Sequence, residues 1–206
     1  LLDWQENEVI NEVNYHFAVR LNNENGVQNN SQISVSFDPA FQQLVFNKII
    51  IHRNNESFNH LKKNEIELLR NEQNAENLIY DGTYSALIIL KDIRAGDVLE
   101  YEYTIKGSNP LFKGIIYSVI DQAYDEEVFH IYKSILVPID RVVSTKTFRD
   151  GVLPKEIKNG KTKQLVWDIH DCKAIFNDAN IPSWFNIYPR CEVSSVKDWT
   201  EVKELG

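Results

Sequence analysis

The run WDIHDC, residues 167–172, holds the best metal-like set of side chains in this 206-residue chain. On a strand, Asp168, His170 and Cys172 project from one face at spacing i, i+2, i+4. A carboxylate, an imidazole and a thiolate so aligned could hold a zinc ion, with Cys191 as a fourth ligand. The competing reading is a solvated outer face, with Leu165, Trp167 and Ile169 pointing inward. Asp168, His170 and Cys172 are therefore carried forward only as weak metal candidates. A cysteine nucleophile needs a neighbouring His and a helix N-terminus in front of its thiolate. Cys172 reads as mid-strand and Cys191 follows Pro189-Arg190 ahead of a polar turn, so neither has that context. The two cysteines, the only ones in the chain, are compatible with one disulfide or with two buried thiols, and their spacing fits no zinc ribbon or CxxC redox motif.

Asp125-Glu126-Glu127 lacks the glycine and the DxDxD spacing of a calcium loop and reads as a solvated turn. His16, His52, His60 and His130 are scattered singly. No GxGxxG or P-loop is present, so no cofactor is expected. Trp184, Phe185 and Tyr188 lie between Pro182 and Pro189, which stiffen an extended connection. Such a segment plugs one end of a sandwich, meets a neighbouring domain, or offers a platform to a sugar or peptide. The net charge of −8 and the lack of a basic block exclude a phosphate-tracking surface, so nucleic acid is not an expected partner. No apolar stretch is long enough to span a membrane as a helix.

The elements that position these residues are strands. In Val98–Ile105, Leu99, Tyr101, Tyr103 and Ile105 alternate with Val98, Glu100, Glu102 and Thr104, the period of a half-buried strand. Further strands are expected over residues 15–21, 33–37, 43–52, 85–90, 114–122, 128–137 and 165–174, separated by turn clusters such as NNENG, YDGT, RAGD, KGSNP and KNGK. This pattern predicts an all-β, antiparallel β-sandwich with little helix. Asn64–Tyr80 is balanced between a short amphipathic helix and an irregular crossing. Arg149–Gln164 reads as a long hairpin loop. Ser195 reads as the N-cap of a helix starting at the C-terminal end. A single sandwich domain is expected over residues 1–195, with 196–206 leading as a linker or helix into a further domain. The absence of Met and the helix barely begun at Gly206 add to the expectation that this is a piece of a longer chain.

The order of the motifs IIIHRNN (49–55), LIYDGTYSALIILKDIRAGDVLEYEYTIKGSNPLFKG (78–114), VWDIHD and IPSWFNIYPRCEVSSVKDWTEV resembles a bacterial domain of unknown function found N-terminal to transglutaminase-like domains. The resemblance runs from about Tyr15 to Val202. Its most specific parts are Tyr80-Asp81-Gly82, Arg94-x-Gly96-Asp97, Gly107-Ser108-Asn109-Pro110, Pro182-x-Trp184, and the later Ser194 and Trp199. Where the family often has Gly after an Arg, this chain has Arg53-Asn54-Asn55, and Asn can take the same left-handed turn. The resemblance implies a β-sandwich in exported or envelope proteins and a papain-like transglutaminase fold downstream that carries the catalytic residues. None of the Cys-His-Asp triad that the resemblance implies there maps onto this chain. The motif residues are expected to be structural or to face the partner domain. The expected function is therefore a non-catalytic, substrate-presenting accessory domain in the periplasm or envelope. A free-standing glycan- or peptide-binding module is the alternative.

Overall fold

The computed structural model describes residues 1–62, 65–70, 82–112, 114–176, 181–182, 185–198, 201 and 203. Among them run β1 (Leu2–Asn7), β2 (Glu12–Arg20), the short helix α1 (Glu24–Asn29), β3 (Gln32–Phe37), β4 (Gln43–Arg53), β5 (Glu56–Asn59), β6 (Ile66–Arg70) and β7 (Tyr84–Ile89). They continue with β8 (Val98–Lys106), β9 (Tyr117–Asp121), β10 (Val128–Pro138), β11 (Ser144–Phe148), β12 (Lys155–Asn159), β13 (Thr162–Cys172) and β14 (Arg190–Ser194). The chain is mostly β, as its alternation predicts. Where one sandwich is expected over residues 1–195, contacts divide the chain into two compact units, Asn11–Leu111 and Leu1–Ile10 with Phe112–Gly206.

In Asn11–Leu111, the antiparallel strands β2-β8-β4-β5 form one layer and β3-β7-β6 the other. Ile49, Ile51 and Leu99 from the first layer pack on Ile33, Val35, Ile88 and Leu90 from the second. Each such side chain contributes roughly 1.5–3 kcal/mol when removed from water. Tyr101, Tyr103 and Ile105 extend this face of β8, and Tyr103 stacks on Tyr15 at 4.8 Å between ring centres. Because side chains alternate, Glu100, Glu102 and Thr104 fall on the opposite face. The β4–β5 hairpin turns at Asn54 and Asn55, whose φ values of 49° and 64° are both left-handed, as a tight two-residue hairpin turn requires.

In the other unit, β12-β13-β10-β1 form a mixed layer, since β1 runs parallel to β10 while the remaining pairs are antiparallel. The layer β11-β14-β9 is antiparallel. Ile135, Val137, Leu165 and Trp167 pack on Ile120, Cys191, Val193 and the neighbouring Ile116. Trp167 keeps its indole N–H satisfied by donating to the Val152 carbonyl at 3.2 Å.

Several local expectations change. Ile66–Arg70, expected within a helix or irregular crossing, is strand β6 paired with β7; Asn64 and residues 71–80 lie outside the described residues. Half of the expected loop at 149–164 is strand, because β12 pairs with β13 across the turn at Gly160. The helix α1 occupies part of an expected turn; the Asn23 side chain caps it by accepting from Gly26 N–H at 2.9 Å. Ser195 is not a helix cap, since its hydroxyl accepts from the Ile116 N–H at 2.9 Å. The Asp198 carboxylate accepts from the Glu201 N–H, and the Glu201 carboxylate in turn accepts from the Lys197 N–H. Among the described residues no helix is long and apolar enough to cross a membrane.

Candidate functional site

The turn Arg94-Ala95-Gly96-Asp97 is built around one carboxylate. Asp97 is 1 % exposed, and Arg53 at the end of β4 grips it with two parallel bonds, Nε to Oδ1 and Nη2 to Oδ2, both 2.7 Å. The Arg94 backbone N–H adds a third at 2.8 Å. The Arg53 guanidinium, then the Arg94 amide, hold the Asp97 carboxyl below its usual range, against the pull of burial. Arg53 also donates to the Asp92 carbonyl at 2.6 Å, and Arg94 turns outward to pair with the Asp92 carboxylate at 2.7 Å. Gly96 takes φ +96°, and its N–H donates to the Leu21 carbonyl at 2.6 Å. The same type of constraint sets Gly107, where φ is +88° and an added Cβ would lie 2.2 Å from the Phe41 carbonyl oxygen. Asn109 accepts from the Leu111 N–H at 3.0 Å and Pro110 opens a 3-10 turn, Pro110–Phe112. These motif residues are occupied in holding turns. Gly82 has φ +70° and Pro182 accepts from the Phe185 N–H; Tyr80, Asp81, Trp184 and Trp199 lie outside the described residues.

The outer face of β8 carries a polar hub that single-residue reading missed. Glu100 Oε1 receives Lys48 Nζ at 2.7 Å and His16 Nε2 at 2.8 Å, while Oε2 receives His52 Nε2 at 2.7 Å. His52 Nδ1 lies 2.9 Å from the Ser57 hydroxyl. Burial alone would raise the Glu100 carboxyl, but the bonds from Lys48, His52 and His16 outweigh it and hold it down at about 2. Asn14 and Asn47 bridge the neighbouring Glu102 and Thr104. A Ser-His-Glu chain is present, but with Lys48 neutralising the carboxylate and the serine on an edge strand whose four residues are all exposed.

On the outer face of β13, Asp168 and His170 do come together, and the third member is His130 from β10. Asp168 Oδ1 lies 2.8 Å from His130 Nε2 and 3.1 Å from His170 Nε2. The two imidazoles stack at 4.3 Å with planes 10° apart. Cys172 is absent from this group of mutually close ligand atoms. It pairs with Val128 at the strand end, beyond Asp171, whose φ of +53° breaks the regular alternation. Both cysteines are free thiols. Cys191 is fully buried among Ile120, Trp167 and Val193, and burial pushes both thiols above their usual value, the opposite of nucleophile activation.

Two ionisable groups are held inside the unit containing β1. Glu6 accepts from the Ser118 hydroxyl at 2.9 Å; burial, then a shared hydrogen bond with Glu8, raises its carboxyl to about 8. Lys133, 8 % exposed, donates to the Tyr124 hydroxyl at 2.8 Å, and burial lowers its ammonium to about 8. Near the expected aromatic segment, the Arg149 guanidinium lies 4.1 Å from the Phe185 ring centre and Arg190 4.4 Å from Phe148. These four residues and Asn186 line an open depression of about 510 Å³.

The fold and these sites define a β-sandwich module whose most specific residues build turns. The chain belongs to the DUF3857 family, a domain of unknown function with a solved structure, which matches residues 11–176. No curated protein matches it. A similar solved structure is a "putative protease" from Parabacteroides distasonis ATCC 8503, at TM-score 0.81 and 14 % identity over 95 % of this chain. The chain spans 39 % of that protein.

Proposed function

We propose that this chain is a non-catalytic accessory domain that positions or presents substrate to a transglutaminase-like, papain-fold catalytic domain on the same polypeptide, in a bacterial envelope or exported protein. The observation that carries the reading is the likeness to a protein of more than twice the matched length whose name is that of a protease. The interior agrees with it. Asp97, Arg53, Gly96 and Gly107 are engaged in turns, and the Cys191 thiol is sealed in a core. The test is limiting alkylation of the native polypeptide with an iodoacetamide probe, followed by peptide mapping and an acyl-transfer assay. The expected result is inactivation with the label outside residues 1–206. Inactivation with the label on Cys172 or Cys191 overturns the proposal.

A second reading, a glycan- or peptide-binding module, draws on the depression between the Arg149–Phe185 and Arg190–Phe148 stacks. Planar cations over aromatic faces suit carboxylate-bearing ligands. Saturable quenching of intrinsic fluorescence by an acidic oligosaccharide, lost in Arg149→Ala, would favour it; no quenching removes it.

A further inference from the structure

We propose that His130, Asp168 and His170 form a surface site for a single zinc ion. The register of β10 and β13 puts His130 directly opposite His170, and Asp168 lies two residues before His170 on the same face. Both imidazoles direct Nε2 at one oxygen, Asp168 Oδ1, and all three ligating atoms lie within 4.8 Å of one another. Tetrahedral zinc, at about 2.1 Å from nitrogen and oxygen, spaces its ligand atoms about 3.4 Å apart. The observed carboxylate–imidazole separations of 2.8 and 3.1 Å are slightly shorter, so the ion is admitted when these widen by a few tenths of an ångström and the two stacked rings tilt out of their parallel planes to aim both Nε2 atoms at it. The side chains are free to make it, since His130, Asp168 and His170 are 36 %, 56 % and 60 % exposed.

Without metal, the ionised Asp168 accepts, so each Nε2 carries a proton. With zinc bound, each Nε2 would offer its lone pair, each ring proton would reside on Nδ1, and one divalent charge would face the three ligand atoms. Two imidazoles and one carboxylate suit borderline cations such as Zn²⁺, and three protein ligands leave a fourth position to water. The hub at Glu100 differs, because the Lys48 ammonium already fills the place of a cation, 2.7 Å from Oε1.

The experiment is calorimetric titration of the tag-free full chain with Zn²⁺, alongside His130→Ala, His170→Ala, Asp168→Asn and, as controls, His16→Ala and Cys172→Ser. Thermal melts confirm that each variant folds. The expected result is one zinc per chain, roughly tenfold or more weaker in each of the three site variants, unchanged in the controls, and weaker in acid as protons compete for the imidazoles. Nitrogen chemical shifts would move His130 and His170 from the Nε2-protonated to the Nδ1-protonated tautomer on zinc addition. No saturable binding, binding unchanged in His130→Ala and His170→Ala, or binding lost in Cys172→Ser overturns the proposal.

Discussion

Glu6 makes the protein's stability depend on pH in a direction opposite to that of an ordinary paired carboxylate. Its carboxyl titrates at about 8 in the folded chain against an ordinary 4.5, because burial, then Glu8, disfavours the charge more than the Ser118 hydroxyl favours it. Between those values the native state holds a proton that the unfolded chain has released. Stability from this group is therefore fully present below 4.5, falls as pH rises, and is lost above about 8. At about 1.4 kcal/mol per pH unit the whole span amounts to ~5 kcal/mol; residual water contact and sharing of the proton with Glu8 reduce it to roughly 2–3 kcal/mol. Glu6→Gln keeps the shape and an acceptor for the Ser118 hydroxyl but cannot ionise. Urea denaturation of both proteins from pH 5 to 9 isolates the effect of Glu6 and its partner Glu8, since the carboxylates remote from them cancel in the difference. The substituted protein should match the parent near pH 5 and exceed it by roughly 2–3 kcal/mol at pH 9. A difference that stays flat across this range would refute the reasoning.

Gly96→Ala places a side chain in open space at φ +96° and should destabilise by about 1–2 kcal/mol. Gly107→Ala, with the Phe41 oxygen 2.2 Å from the new Cβ, should lose roughly twice that in the same denaturation assay; equal losses would show that the Phe41 carbonyl yields freely. Asp97→Ala strips the Arg53 fork of its partner and should lower stability by about 2 kcal/mol or more, read as an earlier urea midpoint. Lys133→Met removes a buried ammonium whose charge is disfavoured. The parent's folded lysine titrates at about 8 against 10.5, so its penalty is full below 8 and gone above 10.5. The variant should accordingly gain about 1–3 kcal/mol at pH 7 and little at pH 11.

Strands with an alternating or continuous apolar signal were legible before any coordinates: β8 and β13 show which residues face inward, and Trp167 and Leu165 are buried as the pattern requires. Strands without that signal were not. β12 is exposed along its whole length and β5 likewise; both exist because a hairpin partner satisfies their backbone, which composition does not reveal. The same limit governed the sites. Asp168 and His170 were visible as neighbours on one strand, but His130 joins them through the β10–β13 register, and pairing register across 40 residues has no local signature. Cys172 was drawn in by assuming that alternation persists to the strand end, where the left-handed Asp171 interrupts it. Gly96 and Asp97 were recognisable as a turn; that Arg53 closes on Asp97 was not, although both stood in quoted motifs. Alternation sets Glu100 on the face opposite Leu99 and Tyr101, yet its partners His16, Lys48 and His52 come from two other strands.

The central claim is that this β module serves a catalytic domain on the same polypeptide. Intact-mass and top-down sequencing of the native protein, captured from its cells with an antibody to residues 1–206, tests it most directly. The account predicts a mass well above 24.0 kDa and sequence beyond Gly206 that contains a Cys at a helix start followed by His and Asp. A mature protein of 24.0 kDa ending at Gly206 would contradict it.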